Sequence, residues 1–201
     1  MSDPLTTSGE SSSQRDGRAR PGAPQGAALR VEAEAVNPGD RPARPDFAFM
    51  RPRLSRWIAF GFGSGLAPFA PGTFGTLFAW AVFRVLDPVL SDSVWWVVLA
   101  LGFALGCWAC ERTGRDLGAP DHSGMVWDEV IAFWLVLLVV PATFASQLAA
   151  FFVFRFFDVI KPPPIRLIDR SVKGGFGVMA DDLLAALYTL LVVALWTGWR
   201  A

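Results

Sequence analysis

The stretch that most constrains this chain runs from Phe151 to Asp182, FFVFRFFDVIKPPPIRLIDRSVKGGFGVMADD. Arg155 and Asp158 lie inside an aromatic, apolar run, and Lys161 ends it. Asp181 and Asp182 stand at the entrance to another apolar run. Desolvating an unpaired charge is costly, so charges set into such segments must meet water, one another or a ligand. Their types and positions point to a metal ion and a phosphate group held at a membrane surface.

The rest of the chain supports a membrane setting. It is 53% hydrophobic, with nine tryptophans and seventeen phenylalanines, and these residues are unevenly placed. Residues 1–56 are rich in Ser, Gly, Pro, Ala and Arg, with few large apolar side chains before Phe47. Such a composition cannot bury enough surface to offset its ordering entropy, so a disordered cytoplasmic tail is expected over 1–56. A helical membrane domain is expected over 57–201. The start lacks the apolar core of a signal peptide. The net charge is zero and no basic tract is interleaved with aromatics, so nucleic acid is not an expected partner. Cys107 and Cys110 form CWAC at the end of an apolar run, which suits inert packing better than redox chemistry.

The apolar runs lack strand-like alternation, so the fold expected is all-α, a compact bundle of about five membrane-embedded helices. The first run, Trp57–Leu86, is broken by GFGSGLAPFAPGTFGT. Val94–Cys110 is unbroken and reaches ~25 Å as a helix, marginal for a span. Further runs end at Pro141 and Ile160, a loop is expected over Lys161–Ala180, and a last helix from about Asp181 to Trp196. Threading these runs with the N-terminus inside places Arg51, Arg53, Arg56, Arg112, Arg115, Lys161, Arg166, Arg170 and Lys173 on the cytoplasmic side. The same threading brings the Gly-rich stretch, residues 121–129, residues 155–161 and residues 174–182 to one level.

Asp121, Asp128, Glu129, Asp158, Asp181 and Asp182 all fall at that level. Clustered carboxylates repel and persist together when a cation neutralises them. Oxygen-only donors favour Mg²⁺ or Mn²⁺ over Zn²⁺. The plainer reading is that Asp128, Glu129, Asp181 and Asp182 only complement helix N-termini. Arg155, Asp158 and Lys161 follow at i, i+3 and i+6, one stripe of a helix. Arg155 and Lys161 can hold phosphate oxygens there, and the plainer reading is an internal Arg155–Asp158 ion pair. Glycines between Gly61 and Thr76, with the hydroxyls of Ser64, Thr73 and Thr76, could cradle an anion, although no P-loop pattern is present. His122 is the sole histidine and a candidate proton donor or a structural group. The intramembrane charges admit a second reading, a small membrane transporter or channel with a charged ion path. Such charges should spread through the membrane depth, whereas these gather at one end of the runs.

Four blocks together resemble the phosphatidylglycerophosphatase A family: GFGSGLAPFAPGTFGTL (61–77), DHSGMVWDE (121–129), FRFFDVIKPPPI (154–165) and DRSVKGGFGVMADD (169–182). The resemblance implies a multi-pass enzyme of the bacterial inner membrane, with its active site facing the cytoplasm. It implies an Mg²⁺-dependent lipid phosphatase that converts the phospholipid phosphatidylglycerophosphate to phosphatidylglycerol and phosphate. The expected metal ligands are Asp128, Glu129, Asp158, Asp181 and Asp182. Asp128, Glu129, Asp158 and His122 are the expected catalytic groups. Arg155, Lys161, Lys173, Ser64 and Thr73 are the expected phosphate-binding groups.

Overall fold

The computed structural model describes residues 44–199. In order, its elements are α1 (Phe47–Met50), α2 (Leu54–Ala59), a 3-10 turn (Gly61–Leu66), α3 (Pro71–Leu86) and α4 (Asp92–Leu117). They continue with α5 (Trp127–Val139), α6 (Phe144–Ile160), α7 (Ile165–Ser171) and α8 (Gly174–Trp199). No strand occurs among the described residues, as the missing alternation led us to expect.

Beyond its acidic first turn helix α5 is apolar on every side, and such a helix belongs in the middle of a bundle. Val130, Ala132, Phe133 and Val136 are fully buried in it. Helices α3, α4 and α8 pack around α5, and α6 lies mainly against α8. Close approach comes from small residues. A Cβ on Gly106 of α4 would stand 2.5 Å from Met179 Sδ of α8. One on Gly175 would run into the backbone carbonyl of Cys107. Any larger residue would force these helices apart.

Helices α4 and α8 have 26 residues each, ~39 Å of helix, and both are apolar enough to cross a membrane. Only 33% and 39% of their most apolar windows are buried. Trp96, Val97, Leu101 and Trp108 of α4 and Leu187, Leu191 and Leu195 of α8 face outward. A soluble core helix would hide such residues, and lipid accommodates them. Of the five helices expected to be embedded, these two have spanning length. Helices α3, α5 and α6, at 16, 13 and 17 residues, are shorter.

Three expectations shift. The ordered fold begins ahead of residue 57. Asp46 caps α1 through Phe49 N–H at 2.8 Å, and Met50 is fully buried. Arg53 and Arg56 both bind Asp116 near the end of α4, at 2.6 and 3.0 Å. Composition averaged over a long polar stretch hid this short PDFAFM start, while residues 1–43 lie outside the described residues. The expected loop 161–180 instead holds α7 and the first two turns of α8. Its glycines, which read as turn formers, serve helix packing. The stretch 61–76 is partly helical too, and the break falls at Pro68–Ala70, where Ala70 is left-handed (φ 46°) and Pro71 opens α3.

Candidate metal and phosphate site

One end of the bundle collects the polar side chains. The start of α5 brings Asp128 and Glu129, and the end of α6 brings Arg155, Asp158 and its C-cap Lys161. Asp181 and Asp182 lie about two turns into α8. With Asp121, Ser123 and the start of α3 they line one cavity of about 230 Å³. Carboxylates distant in sequence therefore meet, at one level, as the threading of the apolar runs anticipated.

Within the cavity, single oxygens of Glu129, Asp158 and Asp182 lie within 4.8 Å of one another. Arg155 Nη1 donates to Glu129 Oε1 at 2.9 Å and pairs with Asp158 Oδ2 at 2.5 Å. Lys161 pairs with Asp181. Asp128 Oδ1 accepts the N–H of Glu129 at 2.9 Å. The plainer reading of Arg155 and Asp158 as an ion pair is thus realised, but Glu129 shares the guanidinium. The helix-terminus reading suits Asp128 and Glu129, in the first turn of α5, and fails for the aspartates inside α8.

Room for Glu129 comes from α3. A Cβ on Gly72 would collide with the Glu129 carboxylate, and one on Gly75 would stand 2.9 Å from Oε2. Thr76 donates to Gly72 O at 2.8 Å and lies 3.5 Å from Arg155 Nη1. Thr76 is therefore the α3 hydroxyl that approaches Arg155. Its i+4 relation to Gly72 on an inward helix face was the available signal.

The electrostatics call for a cation. Six carboxylates line the cavity against two cationic groups. Two carboxylates at this separation repel by ~3 kcal/mol at an effective dielectric of about 20. Glu129 Oε2 and Asp182 Oδ2 are buried with no hydrogen-bond partner among the described residues. Orphaned buried anionic oxygens are costly, and a metal ion satisfies them. All-oxygen donors suit a hard divalent cation. Glu129, Asp158 and Asp182 therefore fit a bound metal.

The remaining sequence candidates lie elsewhere. His122 faces a neighbouring cavity beside Phe60, and its Nδ1 accepts the Gly124 N–H at 3.0 Å. Ser64 donates to Gly61 O at 2.8 Å, closing the 3-10 turn. Thr73 does not line the metal cavity, and Lys173 lines a separate one with Glu111 and Arg115. Cys107 and Cys110 are free thiols on α4, with Cys110 fully buried.

Comparison with known proteins adds independent findings. The family model of phosphatidylglycerophosphatase A matches residues 57–197. A Haemophilus influenzae protein named phosphatidylglycerophosphatase A is 44% identical over 137 residues, covering 68% of this chain and 84% of the relative. One of the same name from Escherichia coli is 41% identical over 150 residues, covering 73% and 87%. A Bacteroides thetaiotaomicron protein named putative phosphatidylinositol-3-phosphatase is 40% identical over 145 residues, covering 68% and 89%. No solved structure matches the chain. With the family match extending over more than half its length, the chain belongs to the phosphatidylglycerophosphatase A family.

Proposed function

We propose that this chain is a membrane phosphatase that removes the terminal phosphate of phosphatidylglycerophosphate, leaving phosphatidylglycerol, with Mg²⁺ at the carboxylate cluster. The observation that carries the reading is the meeting of Glu129, Asp158 and Asp182 beside Arg155 and Lys161, in a cavity at one end of an outwardly apolar bundle. The names of the Haemophilus and Escherichia relatives supply the substrate.

Glu129, Asp158 and Asp182 are the residues to hold Mg²⁺. Bound there, the ion supplies Lewis-acid polarisation of the phosphoryl group and offsets the negative charge a phosphate monoester would otherwise meet. Arg155 and Lys161 bind phosphoryl oxygens and stabilise the charge that develops on them. Arg155 Nε–H is buried with no hydrogen-bond partner among the described residues, so a donor is in reserve. Asp128, with Oδ1 fixed by the Glu129 N–H, uses its other oxygen to take a proton from the attacking water. Asp181 keeps Lys161 at the cavity through their ion pair.

In the bilayer, α4 and α8 cross, and the shorter α3, α5 and α6 are embedded beside them. Basic residues cluster at the cavity end, which supports a cytoplasmic position for that end in a bacterial inner membrane. Residues 57–201 form the phosphatase domain, with the start of α2 tied to it through the Arg53 and Arg56 pairs with Asp116.

The Bacteroides relative suggests a second substrate, phosphatidylinositol 3-phosphate, to be run in parallel. The test is phosphate release from both lipids by the purified protein in detergent, with Mg²⁺ and with EDTA. Mg²⁺-dependent release from phosphatidylglycerophosphate is expected. Release from the inositol lipid alone would move the substrate assignment, and release unaffected by EDTA would remove the metal.

A further inference from the structure

A second cavity, of about 360 Å³, opens between α3 and α6, lined by Leu77, Trp80, Ala81, Arg84, Phe144 and Gln147. The two helices part below the polar site. They meet at its edge, where Arg155 Nη1 lies 3.5 Å from Thr76 Oγ1. One turn on, Trp80 fills part of the gap, its ring stacked on Phe151 and Phe144 at 6.0 and 5.6 Å. Trp80 Nε1 donates to Gln147 Oε1 at 2.8 Å, so these polar groups satisfy each other at the floor. The groove left above them is apolar and open to the side, since Leu77, Ala81 and Phe144 are exposed.

We propose that this groove holds an acyl chain of the lipid substrate while its headgroup occupies the carboxylate cavity. The proposal rests on the lipid phosphatase reading above. Three observations select this occupant. The groove begins within one helical turn along α3 of Thr76 and its neighbour Arg155, where the phosphate end of a lipid would sit. From Gly72 at the carboxylate cavity to Arg84 at the groove's far end α3 runs ~18 Å, close to the depth of one leaflet, about 15 Å, and the groove lines the last ~10 Å of that path. Its walls offer apolar surface and aromatic faces and no unsatisfied polar group of Trp80 or Gln147.

The test compares phosphate release from long-chain and dihexanoyl phosphatidylglycerophosphate by the full chain in detergent. Ala81→Trp and Leu77→Trp fill the groove from exposed positions, and Val97→Trp adds the same bulk to the outward face of α4. The expected result is a KM for the long-chain lipid raised about tenfold in both groove variants, the equivalent of two lost methylene contacts. Values of kcat, and the KM for dihexanoyl substrate, should stay as in wild type, and Val97→Trp should change neither. Equal effects on both substrates, or no effect on either, would overturn the proposal. So would a change of oligomeric state in the groove variants, which would make the groove a contact between copies. A wild type inactive on both lipids would instead remove the phosphatase reading itself, and the proposal with it.

Discussion

The chain carries two pairs of adjacent acids, Asp128–Glu129 and Asp181–Asp182, in different local settings. The first opens α5, where backbone N–H groups and the helix dipole favour negative charge. The second lies inside α8, where neither helps. Yet both pairs divide in the same way. Glu129 and Asp182 join Asp158 around a common point, and each keeps a buried oxygen without a hydrogen bond among the described residues. Asp128 Oδ1 accepts the Glu129 N–H, and Asp181 pairs with Lys161. Consecutive helical residues point ~100° apart, so two neighbours present their carboxylates in different directions. The comparison supports the proposal that one acid of each pair holds the metal while the other serves its surroundings.

The largest effect that would break this comparison comes from the inward acids. Asp182→Asn or Glu129→Gln should lower phosphate release by more than ~100-fold, since even outer partners of a metal cost 10- to 100-fold. These variants should not lose stability without metal, because each removes a mutually repelling charge. Thermal unfolding with and without Mg²⁺ checks this: the wild type should gain from Mg²⁺ and the variants should not. A smaller effect is expected for Asp181→Asn, about 10-fold in activity at saturating Mg²⁺, because Lys161 loses its anchor. An Asp181→Asn as damaging as Asp182→Asn would erase the distinction. Gly72→Ala should destabilise the fold by ~1–3 kcal/mol, readable by denaturant titration, because its methyl meets Glu129 and Arg155. Smallest is Ser64→Ala, which removes one partly buried hydrogen bond worth ~1 kcal/mol and should leave kcat/KM unchanged.

Much of this arrangement was legible in the sequence. The acids and bases flank apolar runs, and topology then forces those run ends to one side. Asp158, three residues after Arg155, gave both the ion pair and its place on α6. The division within each acidic pair was hidden, because adjacency in sequence says nothing about which neighbour points inward until the helix phase is fixed. The start of α8 was misplaced by its glycines. Gly175 reads as a turn former and is instead a contact with the α4 backbone. Ser64, Thr73, His122 and Lys173 carry suitable chemistry, but local partners and tertiary placement set them away from the cavity. Asp46–Met50 was too short a signal to stand out from the polar stretch before it.

The most direct measurement is Mn²⁺ binding by electron paramagnetic resonance, on the purified chain in detergent, with Glu129→Gln, Asp158→Asn and Asp182→Asn alongside Asp181→Asn. The account expects a tight Mn²⁺ site in the wild type, displaced by Mg²⁺, retained in Asp181→Asn and lost in the other three. Binding that survives in the three, or disappears only with Asp181→Asn, would contradict it.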